Sequence, residues 1–411
     1  MTDRDLARTL FATGVSAADP SAAVRRALAG HDLPRPAGRT FVLALGKAAP
    51  AMLAEALEHI SADEALAVTH HENPAEVPGA TVMRAGHPVP DSAGLAAAQA
   101  AAAMADRAQA GDLFLVLVSG GGSALLPAPV EGVSLADKQA VNRALLAAGL
   151  DIVAMNLVRQ QLSTLKGGGL ARRAAPAECV ALILSDVIGD DLAAIASGPT
   201  VAPLGTRAEA ARICQEAGIW PELPRSVRAH LSAEASALPT PEARNLLIGS
   251  NRQSVAAMAV AVPEGRTVVA SDTALTGDVA EAARVITDAA RAAAPGSVLL
   301  WGGETTVRLR GSGLGGRNQE LALRVALDLA DLDDWCFLAG GTDGRDGPTD
   351  AAGGLVDRGT VARIAAAGGD AEALLAQNDS NRALDLAGDL LITGATGTNV
   401  ADLDILVRGL R

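Results

Sequence analysis

An α/β fold in two domains is predicted by three features of the sequence. Residues 41–45, 113–118 and 180–185 are continuous apolar, β-prone runs with no polar face, the mark of strands buried on both sides of a parallel sheet. Helical stretches separate them, so the rhythm is βαβα with helices on both faces of the sheet. Glycine-rich turns follow strand carboxyl ends, where open α/β sheets bind ligands. The expectation is two Rossmann-like α/β/α domains with mainly parallel sheets and an active-site cleft between them. Residues 1–240 form the domain with the glycine-rich loop and residues 241–411 the second.

Each element has its own justification. A helix is expected over residues 3–28, ended by the turn region 30–38. The strand 41–45 delivers Gly46 and Lys47 at its carboxyl end, and helix 48–60 follows. Short strands are expected at 66–69 and 81–83. The next segment, Gly86-His87-Pro88-Val89-Pro90-Asp91, is too proline-rich for a helix. An alanine-rich helix, 93–110, leads into the strand 113–118. Helices are expected at 135–148 and 151–165, and the strand 180–185 ends in Asp186. Prolines then recur at Pro203, Pro221, Pro224, Pro239 and Pro241, which places the domain boundary near the end of that segment. A second strand series follows at 245–248, 267–270, 297–301, 335–339, 390–393 and 404–407.

Composition narrows the function. The chain has 411 residues, 49% hydrophobic and 20% charged, enough for two cores. No apolar run approaches the about 18 residues of a membrane span, and the opening MTDRDLARTL has no signal-peptide pattern. Cys179, Cys214 and Cys336 lie far apart, with neither metal spacing nor a disulfide framework, so a reducing cytoplasm is expected. A net charge of -13 argues against general nucleic-acid binding. Any anionic substrate must therefore meet locally concentrated positive charge. Among 34 Lys and Arg, only Lys47, Lys138 and Lys166 are lysines. Lys47 and Lys166 adjoin glycines, where a slim ammonium reaches a phosphate that a planar guanidinium does not. Lys138, in a polar segment, reads as a surface cation.

The densest glycine turn is Ser119-Gly120-Gly121-Gly122-Ser123. Its glycines turn tightly and let N–H groups approach an anion. A ligand-free connection would not need three consecutive glycines. In the second series, Gly311, Gly313 and Gly316 match G-x-G-x-x-G, with carboxylates about 20 residues on. The context argues against a dinucleotide site. Residues 306–310 alternate polar and apolar, and Asp333 and Asp334 precede their strand instead of ending it. Arg317 opens the next helix, where a cation opposes the dipole. Such a placement calls for a compensating anion, and a ligand carboxylate or phosphate gripped bidentately would supply it.

Carboxylates gather after strand ends: Asp186, Asp190 and Asp191; Asp343, Asp346 and Asp350; and Glu304. Any of them could hold Mg²⁺ or act as a base. Asp186 and Asp343 are the stronger choices, since Asp346 in Asp-Gly reads as turn chemistry. His87 is either a ligand contact or a loop residue. His59 and His230 read as surface residues. There is no Walker A, protein-kinase or G-x-S-x-G motif.

These motifs carry a resemblance. GKAA (46–49), GHPVPD (86–91), SGGGSALL (119–126), LKGGGLA (165–171) and SDVIGDDLAAIASGPTV (185–201) resemble the glycerate 2-kinase family. So do GSN (249–251), GGETTV (302–307), GGRNQELAL (315–323), GGTDGRDGPTDAAGG (340–354) and GDLLITGATGTNVADL (388–403). They run in order over nearly the whole chain. The resemblance implies a two-domain enzyme, unlike P-loop and protein kinases, that phosphorylates the 2-hydroxyl of D-glycerate with Mg-ATP. It implies catalytic roles for Lys47 and Arg317, and Asp186 joins them as a base or metal ligand. Ser119 to Ser123 with Lys166 and Asn251 are expected to bind nucleotide and phosphate. His87, Arg159, Glu304 and Asp343 are expected on the substrate, with Asp186 and Asp343 on Mg²⁺. One departure is Val158-Arg159-Gln160-Gln161-Leu162-Ser163, where relatives often carry Lys-His at 160–161. Only Arg159 keeps an anion-binding role there. Expected partners are D-glycerate and ATP, with no nucleic acid and no membrane; a homodimer is considered. The alternatives are an NAD(P)H-dependent hydroxypyruvate reductase and a non-catalytic sugar-acid sensor.

Overall fold

The computed structural model describes all residues except 235–238, 240, 241 and 411. One sheet contains β1 (Thr40–Leu45), β2 (Glu64–His70), β3 (Thr81–Ala85), β4 (Leu113–Val118), β5 (Glu178–Leu184) and β6 (Arg244–Gly249). Their order is β3-β2-β1-β4-β5-β6, and β1 to β5 pair in parallel. β1 and β4 are buried along their whole length, as their unbroken apolar sequence requires. Phe41 and Phe114, partners in register, bring their rings to 6.2 Å. The strand order reverses at β1, and β1 and β4 end level, with Leu45 opposite Val118. That reversal is the switch point at which open sheets take ligands.

A second sheet contains β7 (Thr267–Ala270), β8 (Leu275–Asp278), β9 (Ser297–Thr306), β10 (Trp335–Gly341), β11 (Gly353–Asp357), β12 (Leu390–Leu391) and β13 (Asp402–Arg408). The order is β12-β11-β10-β13-β9-β7, with β8 also on β9. The expectation of mainly parallel sheets fails here. β7 and β8 run parallel to β9, but the pairings of β13 with β9 and β10, and of β11 with β10 and β12, are antiparallel. The cause is in the connections. A parallel return needs a crossover of a dozen or more residues, usually a helix. The segment between β10 and β11 is a glycine- and aspartate-rich turn with no helix, so the chain doubles back beside itself. Both faces are nevertheless covered. Along β10, Trp335, Phe337 and Ala339 enter one apolar cluster and Cys336 and Leu338 the other.

The chain divides into two compact units, Pro20–Ile248 and Met1–Asp19 with Gly249–Arg411. The expected boundary between 240 and 241 lies outside the described residues. Two expectations change. The single helix 3–28 is two helices, Asp3–Ala17 and Pro20–Gly30. Proline suits a first turn, where its missing N–H is no loss. Leu6, Leu10 and Phe11 of the first helix bury with Leu338, Leu403 and Val407, so this helix belongs to the second sheet. Residues 245–248 do not open the second series, because β6 flanks β5. The described part of the proline-marked segment packs into the first unit. Helices Arg207–Glu216 and Arg225–Ser232 contribute Cys214 and Val227 to a core with Val141 and Val158. Among the described residues no helix is long and apolar enough to cross a membrane.

Candidate functional site

Two groups of residues assemble, one in each unit. In Pro20–Ile248 the group forms where β1 and β4 end. Gly46 has φ +119, and a methyl there would stand 2.2 Å from Ser119 Oγ. Only glycine lets the two turns close on each other. They are then laced together: Lys47 N–H donates to the Gly120 carbonyl at 2.8 Å and Ala48 N–H to Ser119 Oγ at 3.2 Å. The Lys47 carbonyl accepts from Asn73 Nδ2 at 3.2 Å and Thr69 Oγ1 at 3.3 Å. The backbone of Lys47 is therefore fixed from both sides, and its side chain is half-buried.

Three side chains border the Gly120-Gly121 peptide. A methyl on Gly121 would lie 3.2 Å from both Lys47 Cγ and the His87 ring; one on Gly120 would lie 2.1 Å from Asp186 Oδ2. Burial raises the Asp186 carboxyl above the usual range, although its own backbone N–H, the Lys47 charge and the nearby Gly121 N–H oppose this. Burial, then the charges of Lys47 and His70, push His87 down to about 4. His87 is thus a neutral imidazole at neutral pH, beside a lysine. The sequence left His87 open between ligand contact and loop residue; the structure sets its ring against Gly121, beside Lys47. The short helix Gly122–Leu125 leaves its first N–H groups without intrahelical acceptors.

Lys166 is placed differently from the expectation of a free phosphate-binding cation. It is buried, and its Nζ donates to the Ser123 carbonyl at 2.8 Å and to Ser123 Oγ at 2.7 Å. Ser123 Oγ also meets Ser197 Oγ at 2.8 Å, and Ser197 donates to Asn156 Oδ1 at 3.1 Å. Lys166 is thus an internal tie for the glycine turn, and burial holds its amine well below the ordinary lysine range. Lys138 is not a surplus surface cation either. Its Nζ donates to the Leu162 carbonyl at 2.9 Å, and burial with the nearby Arg159 charge pushes it down to about 7. Arg159 itself is half-buried and donates to Asn142. These three cations lie within one another's fields, each bonded to a neutral acceptor. His230 is half-buried on the Gln161 carbonyl, whereas His59 is exposed beside Glu55.

The second group surrounds Arg317, first residue of helix Arg317–Asp328. The compensating anion that its position calls for is supplied by the chain itself. Arg317 Nε and Nη2 donate to the Asp402 carboxylate at 2.6 and 3.0 Å, and Nη1 lies 3.3 Å from Glu304. Burial works against the charged guanidinium, but Asp402, Glu304 and Asp346 outweigh it and hold Arg317 above the usual arginine range. Asp346 is more than turn chemistry. It accepts the backbone N–H groups of Asn318 at 3.1 Å and Gln319 at 2.8 Å, capping the helix that Arg317 opens. Burial raises Asp346 to about 6. Glu304 lies inside β9, opposite Thr276, and does not follow the strand end. Asp343 is half-buried and accepts the Arg345 N–H at 3.0 Å. Asn251 is a buried brace, donating to the carbonyls of Val400 and Asp402 at 2.8 Å each.

Asp402, Asp404 and Asn318 were not singled out by the sequence reading. A signal was present: carboxylates at 402 and 404, in a strand apolar from there until Arg408, share one face. Asp404 Oδ1 and Asn318 Oδ1 are buried without hydrogen-bond partners among the described residues. Burial and the Asp402 charge push Asp404 well above the ordinary carboxylate range. Among the described residues no three His, Cys, Asp or Glu side chains cluster as a metal site.

The G-x-G-x-x-G match is filled by the protein. A methyl on Gly311 would lie 2.4 Å from the Gln377 carbonyl, on Gly313 2.5 Å from Asp379 Cβ, and on Gly316 2.3 Å from Asp346. These glycines admit neighbouring chain where a dinucleotide fingerprint would admit a pyrophosphate.

Comparison with known proteins agrees with this organisation. Residues 6–232 match the model of a domain of unknown function, DUF4147, and residues 297–402 match that of the MOFRL family. The glycerate 2-kinase of Pyrococcus horikoshii is 38% identical over 98% of this chain and 97% of its own. An Agrobacterium vitis protein named, without firm assignment, a hydroxypyruvate reductase is 40% identical over 99% of this chain and 94% of its own. The crystal structure of a glycerate kinase from Thermotoga maritima superposes with a TM-score of 0.91 at 37% identity, covering 98% of this chain and 99% of that one.

Proposed function

The chain belongs to the glycerate 2-kinase family, and we propose that it transfers the γ-phosphoryl group of ATP to the 2-hydroxyl of D-glycerate, giving 2-phosphoglycerate and ADP. The observation that carries this reading is the arrangement of Lys47, neutral His87 and Asp186 around the Gly120-Gly121 peptide, at the switch point of the parallel sheet. Phosphoryl transfer needs positioning and charge neutralisation more than covalent help. Lys47 neutralises the transferring group as a compact point charge. N–H groups of Gly120 to Ser123 hold phosphate oxygens, that of Ser119 being bonded to the Leu45 carbonyl at 2.9 Å. His87, uncharged, offers a hydrogen bond to substrate without adding to the Lys47 field. Arg317 stabilises charge on the moving phosphoryl group.

Asp186, its proton affinity raised by burial, is suited to accept the 2-hydroxyl proton. Mg²⁺ arriving with ATP would neutralise phosphate charge. Such an ion takes one or two protein carboxylates, the rest being water and phosphate oxygens. Asp186 or Asp343 fits that limited demand. Three buried free thiols accord with a reducing, cytoplasmic setting.

A reductase reading loses its candidate dinucleotide fingerprint, since Gly311, Gly313 and Gly316 already face Gln377, Asp379 and Asp346. The deciding assay supplies D-glycerate and Mg-ATP and follows product with enolase but no mutase, so that only 2-phosphoglycerate registers. A parallel reaction supplies hydroxypyruvate and NADH. Enolase-coupled signal with ADP release supports the kinase. NADH oxidation at a comparable rate would overturn it.

A further inference from the structure

We infer that Asp402 is a positioning residue for Arg317, holding one edge of the guanidinium so that Nη1 is the end presented to substrate. The inference rests on the catalytic role proposed for Arg317. The two carboxylates on Arg317 differ in kind. The Asp402 side chain is 3% exposed and meets Nε and Nη2, the two-point geometry that fixes a guanidinium plane. The Glu304 side chain is 47% exposed and lies 3.3 Å from Nη1. An anion arriving from solvent competes for the water-accessible corner, not for the buried edge.

Asp402 is itself immobilised. It opens β13, which lies between β9 and β10 in the sheet. Its carbonyl accepts Asn251 Nδ2 at 2.8 Å, and its Oδ1 accepts Asn318 Nδ2 at 3.0 Å in addition to Arg317. Asn251 has no slack, because a methyl on neighbouring Gly302 would lie 1.7 Å from its Oδ1. The helix bearing Arg317 is pinned separately by Asp346. Backbone and guanidinium are therefore held by two different carboxylates. Losing Asp402 would free the side chain without releasing the helix. Groups acting in catalysis are sensitive to displacements of this kind, on the order of 1 Å.

The test is a double-mutant cycle on kcat and KM for both substrates, with a radiolabel assay sensitive to residual activity. Asp402→Asn keeps the shape but sets an amide against one N–H of the fork. It is expected to lower kcat about tenfold or more, with KM for ATP changed less than about threefold. In an Arg317→Ala background the same substitution is expected to change kcat less than about twofold, since the residue it positions is gone. Asp402→Glu, which keeps the charge and displaces the fork by a methylene, serves where Asp402→Asn does not fold; it is expected to behave alike. Equal losses in both backgrounds would mean a merely structural role and overturn the inference, as would wild-type kcat in folded Asp402→Asn. If Arg317→Ala alone kept wild-type kcat, the role proposed for Arg317 would fail and this inference with it.

Discussion

Replacing Gly120 by alanine tests the Asp186 assignment through geometry alone. The added methyl would stand 2.1 Å from Asp186 Oδ2, 2.6 Å from Cγ and 3.0 Å from Cβ. Ordinary contacts begin more than about 1 Å farther out, so the carboxylate must withdraw by roughly that distance from the Gly120-Gly121 peptide. Overpacking of this size costs about 1–3 kcal/mol in stability. A misplacement of about 1 Å can cost about a hundredfold in rate, or roughly 2.7 kcal/mol of barrier. Gly30→Ala is the control, since a methyl there meets nothing within 4 Å and its φ is not positive. Urea unfolding should show Gly120→Ala folded but weakened, and Gly30→Ala unchanged or better by up to about 1 kcal/mol. Coupled ADP release at saturating substrates should then fall by about two orders of magnitude in Gly120→Ala only. A folded Gly120→Ala enzyme with kcat within about threefold of wild type would refute the reasoning and remove Asp186 from the chemistry.

Lys47→Ala should lower kcat at least about a hundredfold with the fold intact, because its side chain is half-buried at a turn and contributes no core; near-normal kcat would return it to a surface role. Arg317→Lys should be nearly as inactive as Arg317→Ala, since an ammonium reproduces only one of the contacts at 2.6 and 3.0 Å to Asp402. Arg317→Ala should also lose about 3–5 kcal/mol by denaturant titration, having stripped a buried carboxylate; full activity of Arg317→Lys would contradict the fork. Asp346, at about 6 folded against 3.8, binds its proton more tightly in the folded chain, so its contribution declines as pH rises from about 4 to 6 and is level above. Urea titrations of Asp346→Asn across that range should lack this decline, worth about 3 kcal/mol by linkage; an unchanged slope would show another group responsible.

Much of the first unit was legible because its chemistry sits on local pattern. A short β-prone run such as 113–118, closed by glycines, reads as a strand buried on both faces, and a parallel strand must deliver its following turn to the carboxyl edge. Lys47, the Ser119–Ser123 turn and Asp186 could thus be placed at one edge without coordinates. What local pattern lacks is the partner of each polar group. Lys166 adjoins glycines as Lys47 does, yet its Nζ is bonded to Ser123 and buried. Nothing within a few residues of Lys166 encodes that, because Lys166 joins two helices and its partner lies 43 residues away on the turn after β4. Arg317 illustrates the same limit. Its unfavourable place at a helix start was readable, and the need for an anion followed. That the anion is Asp402 depended on β13, last in sequence, inserting between β9 and β10. Strand order in a sheet is set by the pairing of distant segments and by whether a connection can cross over, so it brings together residues whose spacing along the chain carries no trace of their contact.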